Sequence, residues 1–163
     1  MSATTLSPAQ ESAAVVAMLS RPDSYASRPQ SVESVETHIS RVFLTDRYVY
    51  KLKKPVKFDF LDYSTPQLRH EACMDEVRLN RRLAPGVYLG VLPVTRSARG
   101  TVQLNGWGEP VDWVVKMRRL SAERSLESLI VRSQLTVAQV DQLGKRLIDF
   151  YQQLPPVAVS VAA

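Results

Sequence analysis

The sequence predicts an α+β fold built on an antiparallel sheet of about five strands. Two observations carry this. Short β-branched and aromatic runs read as strands, first over residues 31–56 and again over 87–120. A single long helical segment, "STPQLRHEACMDEVRLNRRLAPG", lies between them, and further helical segments open and close the chain. The resulting order is helix, three strands, helix, two strands, two helices. Grouped strands, rather than regular β–α alternation, favour an antiparallel sheet.

The elements follow in turn. "LSPAQESAAVVAMLS" starts a helix: Ser7 is the N-cap, Pro8 suits the first helical position and Gln10 closes a capping box. Val15, Val16, Met18 and Leu19 make its apolar side, and "SRPDSYASRP" stops it. "SVESVETHIS", "RVFLTD" and "RYVYKLKKPV" read as three consecutive strands, with a tight turn at Asp46-Arg47. In the central helix Ser64 is the expected cap and Gln67 the third position of its box, with Pro85 and Gly86 as stop signals. "VYLGVLPVTR" and "VDWVVKMRRL" complete the sheet around an inserted "GTVQLNGWGEP" hairpin. "SAERSLESLIVRSQ" and a helix capped by Thr136 with Gln139 follow. Val140, Leu143, Leu147, Phe150 and Leu154 recur there at helical spacing. The expected segments are an N-terminal helix and loop (1–30), the sheet and central helix (31–120), a helical part (121–154) and a loose tail (155–163).

The bulk composition narrows the function classes. The chain has 163 residues and a net charge of +5, which favours anionic partners such as nucleotides, nucleic acid or acidic lipid. One cysteine, Cys73, excludes an internal disulfide and fits a reducing cytosol. No signal-peptide pattern and no apolar run of membrane-spanning length occur, so the expected location is cytoplasmic.

One feature of the central helix is chemically pointed. Leu68, Ala72, Leu79 and Leu83 form a stripe at helical spacing, and Glu76 falls inside it. A carboxylate facing a core is costly unless paired. The preceding strand offers two cations. Strand alternation puts Val49, Lys51 and Lys53 on one face and Tyr48, Tyr50 and Leu52 on the other. Lys51 is the preferred partner of Glu76, and Lys53 stays open. Alternatively, Glu76 turns to the rim and pairs with Arg69, Arg78 or Arg82 in solvent.

A lysine on the third strand paired with a glutamate on the next helix resembles the phosphate-positioning pair of a protein-kinase-like N-lobe. "VYK" at 49–51 stands where that fold has V-A-I-K. The string "YKLKKPV…FLDYST…EVRLNRRLAP.VYLGV" resembles a bacterial branch of aminoglycoside phosphotransferase-like proteins, often fused to a C-terminal P-loop ATPase domain. The likeness runs from about Val35 to Tyr151. It implies a five-stranded N-lobe with an αC-type helix, followed by two helices of an incomplete C-lobe. It also implies roles by position. Thr37, His38 and Ser40 would cover the phosphates of ATP, Lys51 beside Val49 would contact them, and Glu76 would orient Lys51. Met117, Arg118 and Arg119 would form the hinge along the adenine edge, through backbone groups.

Two departures stand out. The phosphate turn lacks glycine. No His-Gly-Asp, His-Arg-Asp or Asp-Phe-Gly string exists, so the expected catalytic residues and metal ligands are absent. Mg²⁺ would come only with the missing C-lobe. The expectation is therefore the ATP-binding part of a small-molecule kinase acting on a hydroxyl acceptor, inactive alone, either a fragment or a degenerate copy. Two other classes compete. One is a basic nucleic-acid-binding module using Lys51, Lys53, Lys54, Lys57, Arg78, Arg81, Arg82, Arg118 and Arg119, with interleaved aromatics. The other is a nonenzymatic interaction domain with an exposed apolar surface. His38, His70 and Cys73 do not make a metal site, and a buried or half-buried thiol is the default for Cys73.

Overall fold

A computed structural model describes residues 7–154. The chain divides into two compact units, Met1–Arg119 and Leu120–Ala163. The expected loose tail, 155–163, lies outside the described residues.

The first unit is a curled antiparallel sheet with a helix on each face. Helix α1 is Pro8–Leu19, and its Ser7–Gln10 capping box forms as the sequence implies. The strands are β1 (Glu33–Glu36), β2 (Ser40–Leu44) and β3 (Tyr48–Lys53), then a small separate hairpin of β4 (Lys57–Phe58) and β5 (Leu61–Asp62). After α2 (Pro66–Asn80) come β6 (Tyr88–Arg96), β7 (Val102–Leu104) and β8 (Glu109–Arg118). The main sheet has six strands in the order β1-β2-β3-β8-β6-β7, every neighbour antiparallel. The expectation of five is thus corrected. The sixth strand, β7, comes from the hairpin inserted between the last two long strands. Only Val102–Leu104 pair with β6, at the sheet edge, so their periodic signal is too short to stand out.

Alternation on β3 sorts the two faces. Tyr50 and Leu52 enter a core with Val15, Met18 and Leu19 of α1, Tyr25, Phe43, Val94, Val111 and Val114. On the opposite face Val115 packs with Cys73 and Val77 of α2, flanked by Tyr88, Val91, Trp113 and Met117. Tyr25, from the loop after α1, is buried and donates its hydroxyl hydrogen to Leu19 O, which pins that loop to the helix end.

Helix α2 departs from the sequence reading in two ways. Its N-cap is Thr65, whose Oγ1 accepts from Leu68 N at 3.2 Å. Ser64 instead bonds Asp62, so no box with Gln67 forms. Pro66 explains the shift, because proline is best placed at the first helical position and the cap then precedes it. The buried row is Arg69, Cys73 and Val77, and Leu79 and Leu83 are exposed. The buried row thus lies about one residue along from the stripe that the sequence predicts. Arg69 accounts for it: its guanidinium forks onto Asp112, Nε to Oδ1 and Nη2 to Oδ2, both at 2.9 Å. Both side chains are buried, so a charged residue occupies a core row of the helix. This bidentate pair, with Arg69 Nη1 donating to Tyr63 O, ties α2 to the central strand β8.

The second unit contains α3 (Leu126–Val131), preceded by a short 3₁₀ turn at Ala122–Arg124, and α4 (Val137–Gln152). The Thr136–Gln139 capping box of α4 forms as read from sequence. No helix among the described residues is long and apolar enough to cross a membrane.

Candidate functional site

The site is built where β3 faces α2. Adjacent strands are in register, so residues opposite one another point to the same face. Ser40 lies opposite Lys53, Val42 opposite Lys51 and Leu44 opposite Val49. On the other side Lys51 lies opposite Val115 and Val49 opposite Met117. One face thus carries Ser40, Val42, Val49, Lys51, Lys53, Val115 and Met117. Helix α2 covers one part of it and brings Glu76 down onto the two lysines.

Glu76 receives both. Lys51 Nζ donates to Oε1 at 2.9 Å and Lys53 Nζ to Oε2 at 2.7 Å. The alternative in which Glu76 turned to solvent arginines is not the one found. The two lysines differ sharply in access: the Lys51 side chain is 28% exposed and Lys53 4%, with Glu76 at 13%. Lys53 also lies 4.9 Å from the centre of the Tyr63 ring, which closes over it. The ordering of access comes from position. Lys53 sits at the strand end that Tyr63 overhangs, while Lys51 sits next to the half-buried side chains of Val42, Val49 and Met117.

Burial pushes the Glu76 carboxyl up, but hydrogen bonds from Lys53 and Lys51 and their charges outweigh it. The carboxyl is held below the ordinary glutamate value. For Lys53, burial disfavours the ammonium, yet the bond to Glu76 prevails and raises it above the ordinary lysine value. Cys73, buried beside this cluster, has its thiol pushed up to about 12 by burial. That leaves it inert as a nucleophile at neutral pH. His70 stacks on Trp113 with ring centres 3.9 Å apart, and no three metal-binding side chains are gathered among the described residues.

The turn expected over the phosphates joins β1 to β2. Thr37 latches it: its Oγ1 accepts from Ser40 N and donates to Ser40 O, both at 3.0 Å. No residue of this turn has a left-handed backbone, which is why it closes without glycine. His38 is exposed, and the Ser40 hydroxyl is buried without a partner among the described residues.

The expected hinge is more committed than the sequence suggests. Arg118 N donates to Val87 O at 2.8 Å and Arg119 N to Arg47 O at 3.0 Å. The Arg119 guanidinium holds Thr45 O at 2.9 Å and reaches Glu33 Oε1 at 3.4 Å. Arg119 therefore clamps the end of β8 to the β2–β3 turn, and Met117 contributes its side chain to the face around Lys51.

The remaining basic residues are largely matched to acids of the same unit. Lys54 bonds Glu36 Oε1 at 2.7 Å, Lys57 bonds Asp62 at 2.8 Å and Arg78 bonds Asp75 at 2.9 Å. Arg81 donates to the carbonyls of Tyr88 and Leu89. Sequence reasoning missed the Arg69–Asp112 pair. Its signal was a lone aspartate in the apolar run "VDWVV", which a buried partner must balance.

Uncharacterized proteins of Mycobacterium tuberculosis and Mycobacterium bovis are each 34% identical to the chain over 118 residues. That is 72% of this chain and 22% of each relative, so the chain spans less than a quarter of the length of the curated relatives it matches. No family model matches the chain. No solved structure matches it.

Proposed function

We propose that the first unit is a nucleotide-binding lobe of the protein-kinase-like kind, resembling aminoglycoside phosphotransferase-like proteins, and that Lys51 contacts the phosphates of ATP. The observation that carries this reading is the Lys51–Glu76 bond between the third strand and the following helix, at 2.9 Å. Its setting adds support. Lys51 is the more exposed of the two lysines, and Val42, Val49 and Met117 offer an apolar surface beside it that a purine ring could cover. The donor set fits a polyphosphate: two ammonium groups and one carboxylate leave a net positive charge. The turn of Thr37, His38 and Ser40 closes the Lys53 end of this face, with Ser40 opposite Lys53.

ATP supplies the phosphoryl group in this reading, with Mg²⁺ held mainly by residues beyond this chain. The residues present bind and orient. None of them matches the family's catalytic aspartate, so the chain is expected to bind nucleotide without transferring phosphate, in a cytoplasmic setting. The hydroxyl acceptor would be chosen elsewhere in a longer protein. The nucleic-acid reading draws less support, because Lys54, Lys57 and Arg78 are held by Glu36, Asp62 and Asp75.

Calorimetric titration with Mg·ATP tests the proposal. Weak saturable binding is expected, reduced about tenfold or more by Lys51→Ala or Glu76→Ala. Equal affinity in wild type and both variants would remove the Lys51–Glu76 argument, and robust phosphorylation by the chain alone would refute the binding-only role.

A further inference from the structure

We propose that Lys53 is a positioning residue: a buried anchor that holds Glu76 from the inside, so that Lys51 keeps a positive charge for a polyphosphate ligand. This rests on the nucleotide reading above and extends it to a second lysine.

The geometry divides the work. Glu76 has two carboxylate oxygens and gives one to each lysine, Oε1 to Lys51 and Oε2 to Lys53. A lone lysine–glutamate pair is electrically neutral, and an anion arriving at it must compete with the carboxylate. Here the second ammonium leaves one net positive charge, and Lys51 is the end of the cluster that solvent reaches. When Lys51 turns toward a polyphosphate, Glu76 still keeps its bond to Lys53. Without Lys53 the same movement would strand a largely buried carboxylate, which is strongly unfavourable. Lys53 itself cannot serve as the ligand contact. It is 4% exposed and lies beneath the Tyr63 ring.

The surroundings of Lys53 suit an anchor. Ser40 lies opposite it in the β2–β3 ladder and is itself buried. Cys73, one turn before Val77 on α2, is fully buried beside the same cluster. Ser40 is fixed by the sheet and Cys73 and Glu76 by α2, and Tyr63 of the β5–α2 connection covers the ammonium. Lys51 borders the half-buried face of Val42, Val49 and Met117 instead. The two lysines are two residues apart on one strand and do different jobs.

The test uses the full chain, with inorganic tripolyphosphate and Mg·ATP as probes and with Lys51→Met, Lys53→Met and Lys53→Gln. Two readouts are taken: the carboxyl-carbon NMR titration of Glu76, and probe affinity. In Lys51→Met the Glu76 midpoint is expected to stay below the ordinary glutamate value while affinity falls about tenfold or more. In Lys53→Met the midpoint is expected to rise above that of wild type. Affinity is also expected to fall, because Glu76 then neutralises Lys51. Lys53→Gln keeps a hydrogen-bond donor without charge, is expected to behave like Lys53→Met, and carries the test if the methionine variant does not fold. Unchanged Glu76 titration and affinity in the folded Lys53 variant would overturn the proposal. If wild type binds neither probe but the titration results hold, the nucleotide reading falls and Lys53 stands as the anchor of Glu76 alone.

Discussion

Replacing Glu76 with alanine should destabilise the first unit far more than replacing either lysine it holds. The carboxylate is the hub, 2.9 Å from Lys51 Nζ and 2.7 Å from Lys53 Nζ. Removing it leaves Lys53, 4% exposed, as an uncompensated buried cation. Breaking a buried pair in this way costs roughly 3–5 kcal/mol. The Lys51 share adds little, because that side chain is more exposed and such pairs contribute about 0–1 kcal/mol. Lys51→Met should therefore cost no more than about 1 kcal/mol, since Glu76 keeps Lys53. Lys53→Met removes the buried ammonium together with its desolvation and leaves Glu76 bonded to Lys51, so about 1–2 kcal/mol is expected. Both tryptophans, Trp107 and Trp113, lie in the first unit, so urea unfolding followed by tryptophan fluorescence reports on that unit. At a slope of about 1.5–2 kcal/mol per molar urea, Glu76→Ala should lower the midpoint by about 1.5–3 M. If Glu76→Ala costs no more than Lys51→Met, the hub argument is wrong.

Further expectations can be checked on the same protein. Asp112→Asn breaks the Arg69 fork and leaves a buried guanidinium short of its counter-ion, so a loss of roughly 3–5 kcal/mol in the same fluorescence assay is expected. Glu76 is held below its ordinary value, so its stabilisation is complete above that value and is lost as pH falls through the lower folded value. The unfolding free-energy gap between wild type and Glu76→Gln should thus be flat near neutral pH and shrink below about pH 4. Lys53 is raised, so its contribution is present below the ordinary lysine value and is lost only as pH climbs through the higher folded one. Cys73, buried and shifted up to about 12, should resist a thiol reagent at pH 8 in the native chain and react on unfolding.

Much of this arrangement was legible in the sequence, and the misses have physical causes. The α1 cap, the α4 cap and the alternation of β3 could be read directly, because each rests on a local rule about neighbouring residues. Glu76 was singled out correctly as an inward carboxylate, although by a stripe that included Leu79 and Leu83, both of which are exposed. The true row runs through Arg69, and a buried arginine hides a hydrophobic period. Its partner Asp112 lies 43 positions along the chain, beyond the reach of any local pattern. Alternation puts Lys51 and Lys53 on one face and does not separate their access. That difference depends on Tyr63 at the strand end, which is a tertiary fact. The exposed stack of Phe58 on Phe60, 5.8 Å between ring centres, belongs to the β4–β5 hairpin.

The most direct test of the central claim is side-chain NMR of the lysine Cε groups during a Mg·ATP titration. Saturable perturbation of Lys51 is predicted, with Lys53 moving little and its signal still marking a bond to Glu76. Perturbation of Lys53 with Lys51 unmoved, or no saturable change at either lysine, would contradict it.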